Sequence, residues 1–248
     1  MNKSSDKIVI GKGGYGEIFY KKENPNTIYK QSYTVCNTLE KEYKMLSSAY
    51  RAYITYTQTK KSLRKRIHIL HPYDWSTINS KYCIFKMARI YPPVGEKYVW
   101  HPHLGSEDFY LNKLYKTDLH IRGVQVGHNE IKKYLSLEQA SKDSGILIGI
   151  VHYGAKLDAF DTELSMGIIK NHKTTLVQLV LIDFDKVSRW NQLSDKQLLE
   201  NMISSLEAVP YYPEPETKYF SDFRDGYLDV AKHFGYEKLA QDVLNGML

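Results

Sequence analysis

The segment Gly11-Lys12-Gly13-Gly14-Tyr15-Gly16-Glu17-Ile18 spaces its glycines so that backbone N–H groups can approach a phosphate with no side chain in the way. Taken alone it reads equally well as an ordinary glycine-rich hairpin. Fourteen residues beyond Gly16, Thr27-Ile28-Tyr29-Lys30 ends a β-prone run on a lysine, a compact cation suited to gripping phosphate oxygens. Such a lysine needs an acidic partner to hold it. Glu42, on the helix-patterned stretch that follows, is the best placed, and Glu40 is next. The second half carries carboxylates at Asp158, Asp161 and Glu163, and again at Asp183 and Asp185, residue types that move protons or ligate a divalent cation. Most single Lys and Glu residues are solvated surface charges, so the order of these groups along the chain matters more than any one of them.

That order resembles the kinase-like superfamily. In kinases a G-x-G-x-x-G-x-V hairpin covers the phosphates, a V-A-I-K strand supplies a lysine, and a helix glutamate holds it. A catalytic Asp then precedes a metal-binding Asn by five residues, and an Asp-Phe-Gly aspartate binds magnesium. Here Ile18 replaces the valine, Glu163 lies five residues after Asp158, and Leu181-Ile182-Asp183-Phe184-Asp185 carries Asp185 in place of the glycine. The resemblance implies that Gly11, Gly13, Gly14, Gly16 and Ile18 lie over ATP and that Lys30, held by Glu42, steadies its phosphates. It implies also that Asp158 orients or deprotonates the attacking hydroxyl and that Glu163 and Asp183 hold Mg²⁺. The adenine would lie near Met87, Ala88 and Arg89. A dinucleotide-binding fold would need a helix directly after the glycine loop, where a strand pattern follows instead.

A competing register sets His152-Tyr153-Gly154 on the kinase His-Arg-Asp. It puts glycine at the catalytic position and Ala159, which cannot bind metal, five residues beyond, and so describes a pseudokinase. The first register keeps both functional groups and leaves His152 as a satisfied structural histidine, with Asp161 a substitute for Asp158. Within the superfamily the chain resembles aminoglycoside and small-molecule phosphotransferases more than regulatory protein kinases. More narrowly, residues 140–230 resemble a fungal kinase-like domain family of unknown function, through His152, Glu163-Leu-Ser-Met-Gly167, Asp183-Phe-Asp185 and Pro210-Tyr-Tyr-Pro-Glu-Pro215. Thr162, Leu164 and Ser165 depart from that pattern, and the zinc finger associated with some members is absent. No Ala-Pro-Glu motif follows Asp185, which favours a small molecule or one specific partner as phosphoacceptor over general protein substrates.

The elements that must position these groups follow from periodicity. Strands are predicted over 7–10, 17–20 and 27–30, a helix over 38–50 and a buried strand over 82–87. A second helix is predicted over 130–152, weakened by Gly145 and Gly149, and a hairpin over 163–169 and 176–182. Two further helical segments, 195–208 and 220–248, flank the proline-rich turn, while 94–127 reads as loops with short helices. The expected architecture is α+β and two-lobed, as in protein kinases: a small β-rich lobe over 1–88 and a mainly helical lobe over 89–248, with Pro92-Pro93 near the link. Cys36 and Cys83 lack the spacing of a zinc site and are too few for a disulfide framework, so a reducing compartment is expected. The start of the chain lacks an apolar signal core and no run is long enough to span a bilayer, which points to the cytoplasm and no membrane partner. The basic run at 60–66 and a net charge of +6 leave nucleic acid a weaker option than a nucleotide. The leading expectation is an ATP- and Mg²⁺-dependent phosphotransferase. The alternative is an inactive pseudokinase acting as a nucleotide-regulated binding or toxin-immunity module.

Overall fold

The computed structural model describes residues 6–13, 16–33, 36–77, 82–105, 123–170, 176–207 and 211–248. Strands β1 (Lys7–Gly13) and β2 (Gly16–Lys21) form the glycine-rich hairpin, and β3 (Asn24–Ser32) returns beside it. Helix α1 (Cys36–Thr57) leads to a 3₁₀ turn at Leu63–Lys65, then β4 (Ile67–Ile69), β5 (Pro72–Thr77), β6 (Cys83–Ala88), β7 (Ile90–Tyr91), β8 (Val99–Pro102) and β9 (Gly123–Val126). The rest comprises α2 (His128–Ile131), α3 (Leu137–Gly149), the hairpin β10 (Glu163–Ile169) and β11 (Val177–Ile182), and helices α4 (Asp195–Glu207), α5 (Phe220–Phe234) and α6 (Glu237–Gly246). The chain is therefore α+β, with a β-rich N-terminal region and a helical C-terminal part. Among the described residues no helix is long and apolar enough to cross a membrane.

Two sheets organise these elements. The first runs β1-β2-β3-β6-β5 and is antiparallel throughout. Its register sets Ile18 opposite Lys30, Lys30 opposite Phe85 and Ile28 opposite Met87, so these five side chains share one face. Gly16 is where β2 presses on β3: a Cβ there would lie 1.8 Å from the Gln31 carbonyl oxygen, which no side chain can accommodate. The second sheet runs β4-β11-β10-β8-β9, with β7 also pairing β10. Its edge strand β4 joins β11 in parallel and comes from inside the region expected to form the first lobe.

Helix α1 buries Leu39, Glu42, Leu46, Ala49, Tyr53 and Tyr56, recurring three and four residues apart. It continues seven residues past the predicted end, through Ile54-Thr55-Tyr56-Thr57, whose β-branched members disfavour helix. Packing overrides that preference. The Tyr53 hydroxyl donates to the Ile67 carbonyl at 3.0 Å, and the Tyr56 hydroxyl donates at 2.5 Å to Asp229 on α5, which Lys60 also contacts at 2.6 Å. Two of the neighbouring basic side chains are likewise engaged within the molecule, since Arg64 donates to Thr57 and Ile54 and Arg66 grips Asp143 with two hydrogen bonds.

The glycines that weakened the helix prediction mark a crossing. A Cβ on Gly145 of α3 would meet the Phe223 carbonyl oxygen of α5 at 2.2 Å, and one on Gly226 of α5 would meet the Lys142 carbonyl oxygen at 2.2 Å. The two backbones touch, so the helix-propensity cost of glycine, about 1 kcal/mol, is outweighed by close packing. Gly145→Ala is expected to lower stability by about 2 kcal/mol, although alanine is the better helix former. Urea denaturation checks this, and an unchanged or higher midpoint would refute the crossing.

Cys36 and Cys83, from which a reducing compartment was expected, form a disulfide with a Cα–Cα distance of 5.6 Å. The reason is topological. Cys83 lies opposite Ser32 at the end of β3, and Cys36, four residues after Ser32, is the first residue of α1. Their separation of 47 residues conceals this.

Candidate functional site

Three elements converge on Lys30. Its Nζ donates to Glu42 Oε1 of α1 at 2.6 Å and lies 3.8 Å from Oδ1 of Asp183, just beyond β11. Burial works against the ammonium, but Glu42, Asp183, the hydrogen bond and Asp185 outweigh it, so Lys30 stays protonated above its ordinary range. Glu42 is 4% exposed, so this pair is held largely out of water.

The second hairpin assembles the acidic groups. Glu163 opens β10 and lies opposite Ile182, the last residue of β11, which brings Glu163 beside Asp183. Phe184 is fully buried and anchors the turn, leaving Asp183 and Asp185 on the less buried side. Asp183 has φ of 59°, in the left-handed region that residues other than glycine seldom enter and that aspartate tolerates better than most. Lys156, Ala159 and Asp161 share this conformation, at 56°, 54° and 61°. Four such residues on two adjoining loops mean that surrounding contacts dictate the backbone there, a pattern typical of functional sites.

Burial, then the charges of Asp183 and Asp161, push Glu163 up to about 7, against the pull of Lys30. Asp183 is raised too, chiefly by burial, with Lys30 opposing and Asp185 and Asp161 adding to it. Its Oδ1 is buried with no hydrogen-bond partner. Accumulated negative charge with an unsatisfied carboxylate oxygen fits a divalent cation. Among the described residues no group of three or more His, Cys, Asp or Glu forms a cage, but Mg²⁺ commonly takes only one or two carboxylates, with substrate phosphates and water completing its shell.

Asp158 is placed differently from Glu163 and Asp183. It is 1% exposed, and its carboxylate accepts from the Ser188 N–H at 2.8 Å, the Phe160 N–H at 3.2 Å and the Asn201 side chain at 2.8 Å. These bonds fasten the 158–163 loop to the segment after β11 and to α4. The carboxylate expected to face an attacking hydroxyl thus accepts from three donors within the chain. Asp161, half-exposed and paired with Lys186 at 2.5 Å, is the loop carboxylate that shares the electrostatic field of Glu163 and Asp183. Ser188 and Asn201 carry no motif signal in sequence. Tyr211 is also drawn to the cluster, its phenol raised by burial and by Glu163.

Met87 lies on the Lys30 face, whereas Ala88, opposite Thr27, alternates to the other. Gly11 lies opposite Ile18 and Gly13 opposite Gly16, while Gly14 is outside the described residues. Comparison with protein-family models and with characterised proteins finds no match for this chain.

His152, read as structural, lies in a π-helical turn, Ile150–Gly154, that extends α3. It is fully buried and its bonds define one tautomer. Nε2–H donates to the Asp158 carbonyl at 3.2 Å and is 3.2 Å from Ser205 Oγ, while Nδ1 accepts from the Tyr227 hydroxyl at 2.7 Å, which accepts in turn from Tyr153 at 2.7 Å. Burial drives its pKa down to about 3. Between about 6.5 and 3 the unfolded chain therefore binds a proton that the folded one refuses, so this histidine makes stability fall as pH drops through that window. In His152→Asn the slope of unfolding free energy against pH should be shallower by up to about 1.4 kcal/mol per pH unit. An unchanged slope from pH 6 to 4 would mean that His152 titrates freely.

Proposed function

We propose that the chain is a two-lobed kinase-like phosphotransferase using ATP and Mg²⁺. The observation that carries the reading is Lys30 held between Glu42 at 2.6 Å and Asp183 at 3.8 Å, three residues from separate elements in the order the resemblance implies. In this reading the glycine hairpin covers the phosphates and Ile18, Ile28 and Met87 contact the base. Lys30 neutralises phosphate charge, and Glu163 and Asp183 hold the cation. When bound, Mg²⁺ would neutralise charge on the transferring phosphoryl group. Asp161 then faces the acceptor side, and Asp158 keeps the loop in its left-handed course.

A second reading rests on the same loop. The saturated Asp158 and the Asp185 substitution favour a pseudokinase that binds nucleotide without transferring phosphate, as a regulated binding or immunity module. Thermal unfolding with ATP, ADP and GTP, with and without Mg²⁺, tests the nucleotide site: a metal-dependent rise in Tm supports it, and no shift with any nucleotide rejects both readings. Release of phosphate or labelled product from ATP then separates transferase from pseudokinase.

A further inference from the structure

We propose that Ser48, Arg51 and Arg189 form a binding site for a phosphate group, separate from the glycine-loop site. Ser48 lies on α1, 8% exposed, and gives its only hydrogen to the Lys44 carbonyl at 3.0 Å. Its oxygen receives two guanidinium groups, Arg51 Nη2 at 3.3 Å and Arg189 Nη2 at 3.1 Å. Arg51 is on the same helix, whereas Arg189 follows β11, 141 residues from Ser48 in sequence.

What marks the cluster is its missing counter-charge. Among the described residues Arg66 pairs with Asp143, Lys60 with Asp229 and Lys44 with Glu40, yet neither Arg51 nor Arg189 has a carboxylate within ion-pair distance. Two permanent cations are thus held together on a neutral hydroxyl, an arrangement that repels itself until an anion enters. Each guanidinium presents a planar fork of donors. A lone carboxylate has two oxygens and is satisfied by one fork, whereas a phosphate monoester has three free oxygens and up to two charges, enough for both forks and a reoriented Ser48 hydroxyl. Arg51 is exposed, which leaves the site open to solvent.

The anion would tie α1, which carries Glu42, to the segment whose Ser188 N–H holds Asp158. That coupling rests on the proposed function. Binding itself does not, and it is measured without nucleotide.

Calorimetric titration with inorganic phosphate and with O-phosphoserine, at ionic strength fixed with chloride, tests the site. The tighter of the two probes distinguishes a free anion from a monoester as the natural source. Arg51→Ala and Arg189→Ala should each weaken binding at least tenfold, and Lys30→Ala should leave it unchanged. Should Arg189→Ala fail to fold, the exposed Arg51→Ala and Arg51→Glu decide alone. Undiminished affinity in Arg51→Glu, absence of binding by either probe, or loss of binding in Lys30→Ala would overturn the proposal, the last by assigning the anion to the glycine loop.

Discussion

Asp183→Asn is expected to erase the Mg²⁺-dependent response to nucleotide while leaving the unliganded protein at least as stable as the parent. The substitution keeps shape and removes one negative charge from a group crowded by Asp185 and Asp161 and raised by burial. Losing that charge relieves repulsion, so unliganded Tm should hold or rise. The same charge is what a divalent cation would use, so stabilisation by MgATP, about 2.7 kcal/mol at a hundredfold excess over Kd, should vanish, and any phosphate transfer should fall by about 10³. Lys30→Ala should lose the same response for a different reason. It strands Glu42, 4% exposed, without its cation, and unliganded stability should drop by about 3 kcal/mol. The opposite signs on unliganded stability, with the same loss of ligand response, distinguish a charged site from damaged packing. A full MgATP shift in Asp183→Asn would sink the metal assignment.

Asp158→Ala should cost about 3–5 kcal/mol, because it leaves the Ser188 and Phe160 N–H groups and the Asn201 amide without their acceptor in a site that is 1% exposed. Asp158→Asn is the sharper experiment. An amide oxygen can still accept the two backbone bonds, and Asn201 can turn its own oxygen toward the new NH₂. If Asp158 positions the loop, Asp158→Asn keeps most stability and turnover, whereas Asp161→Asn loses turnover at least a hundredfold with little change in Tm. If Asp158 is instead the base, the activity losses are exchanged. Chemical denaturation and initial rates on the two variants tell these apart.

The strands around the site were legible because their signals are local. The glycine spacing requires a hairpin, and the apolar run ending at Ile182 extends from Leu176 to within one residue of the observed strand. Lys30 and Glu42 were legible because a β-strand followed by a helix brings residues 12 apart together. What stayed hidden depends on distant parts of the chain. The last turns of α1 exist because Tyr53 and Tyr56 find partners near β4 and on α5. The disulfide exists because β6 returns beside β3. Strands β4, β7 and β8 are two to four residues long, too short for an alternating pattern to rise above its surroundings. The difference between Asp158 and Asp161 is a matter of backbone conformation: both are aspartates in one loop, and only the left-handed turns at Ala159 and Asp161 decide which carboxylate faces inward.

The parallel pairing of β4 with β11 has a bearing on how the molecule can be divided. Leu179, Val180 and Leu181 are fully buried, and the strand that closes their edge, Ile67–Ile69, lies in the region expected to form the first lobe, before residue 89. A fragment beginning at residue 89 would carry β11 as a bare apolar edge, its N–H and C=O groups aligned to template another chain. Such a fragment is expected to self-associate through that edge. Residues 67–69 thus cap that edge, and cutting the chain between them and β11 would leave it open to other chains.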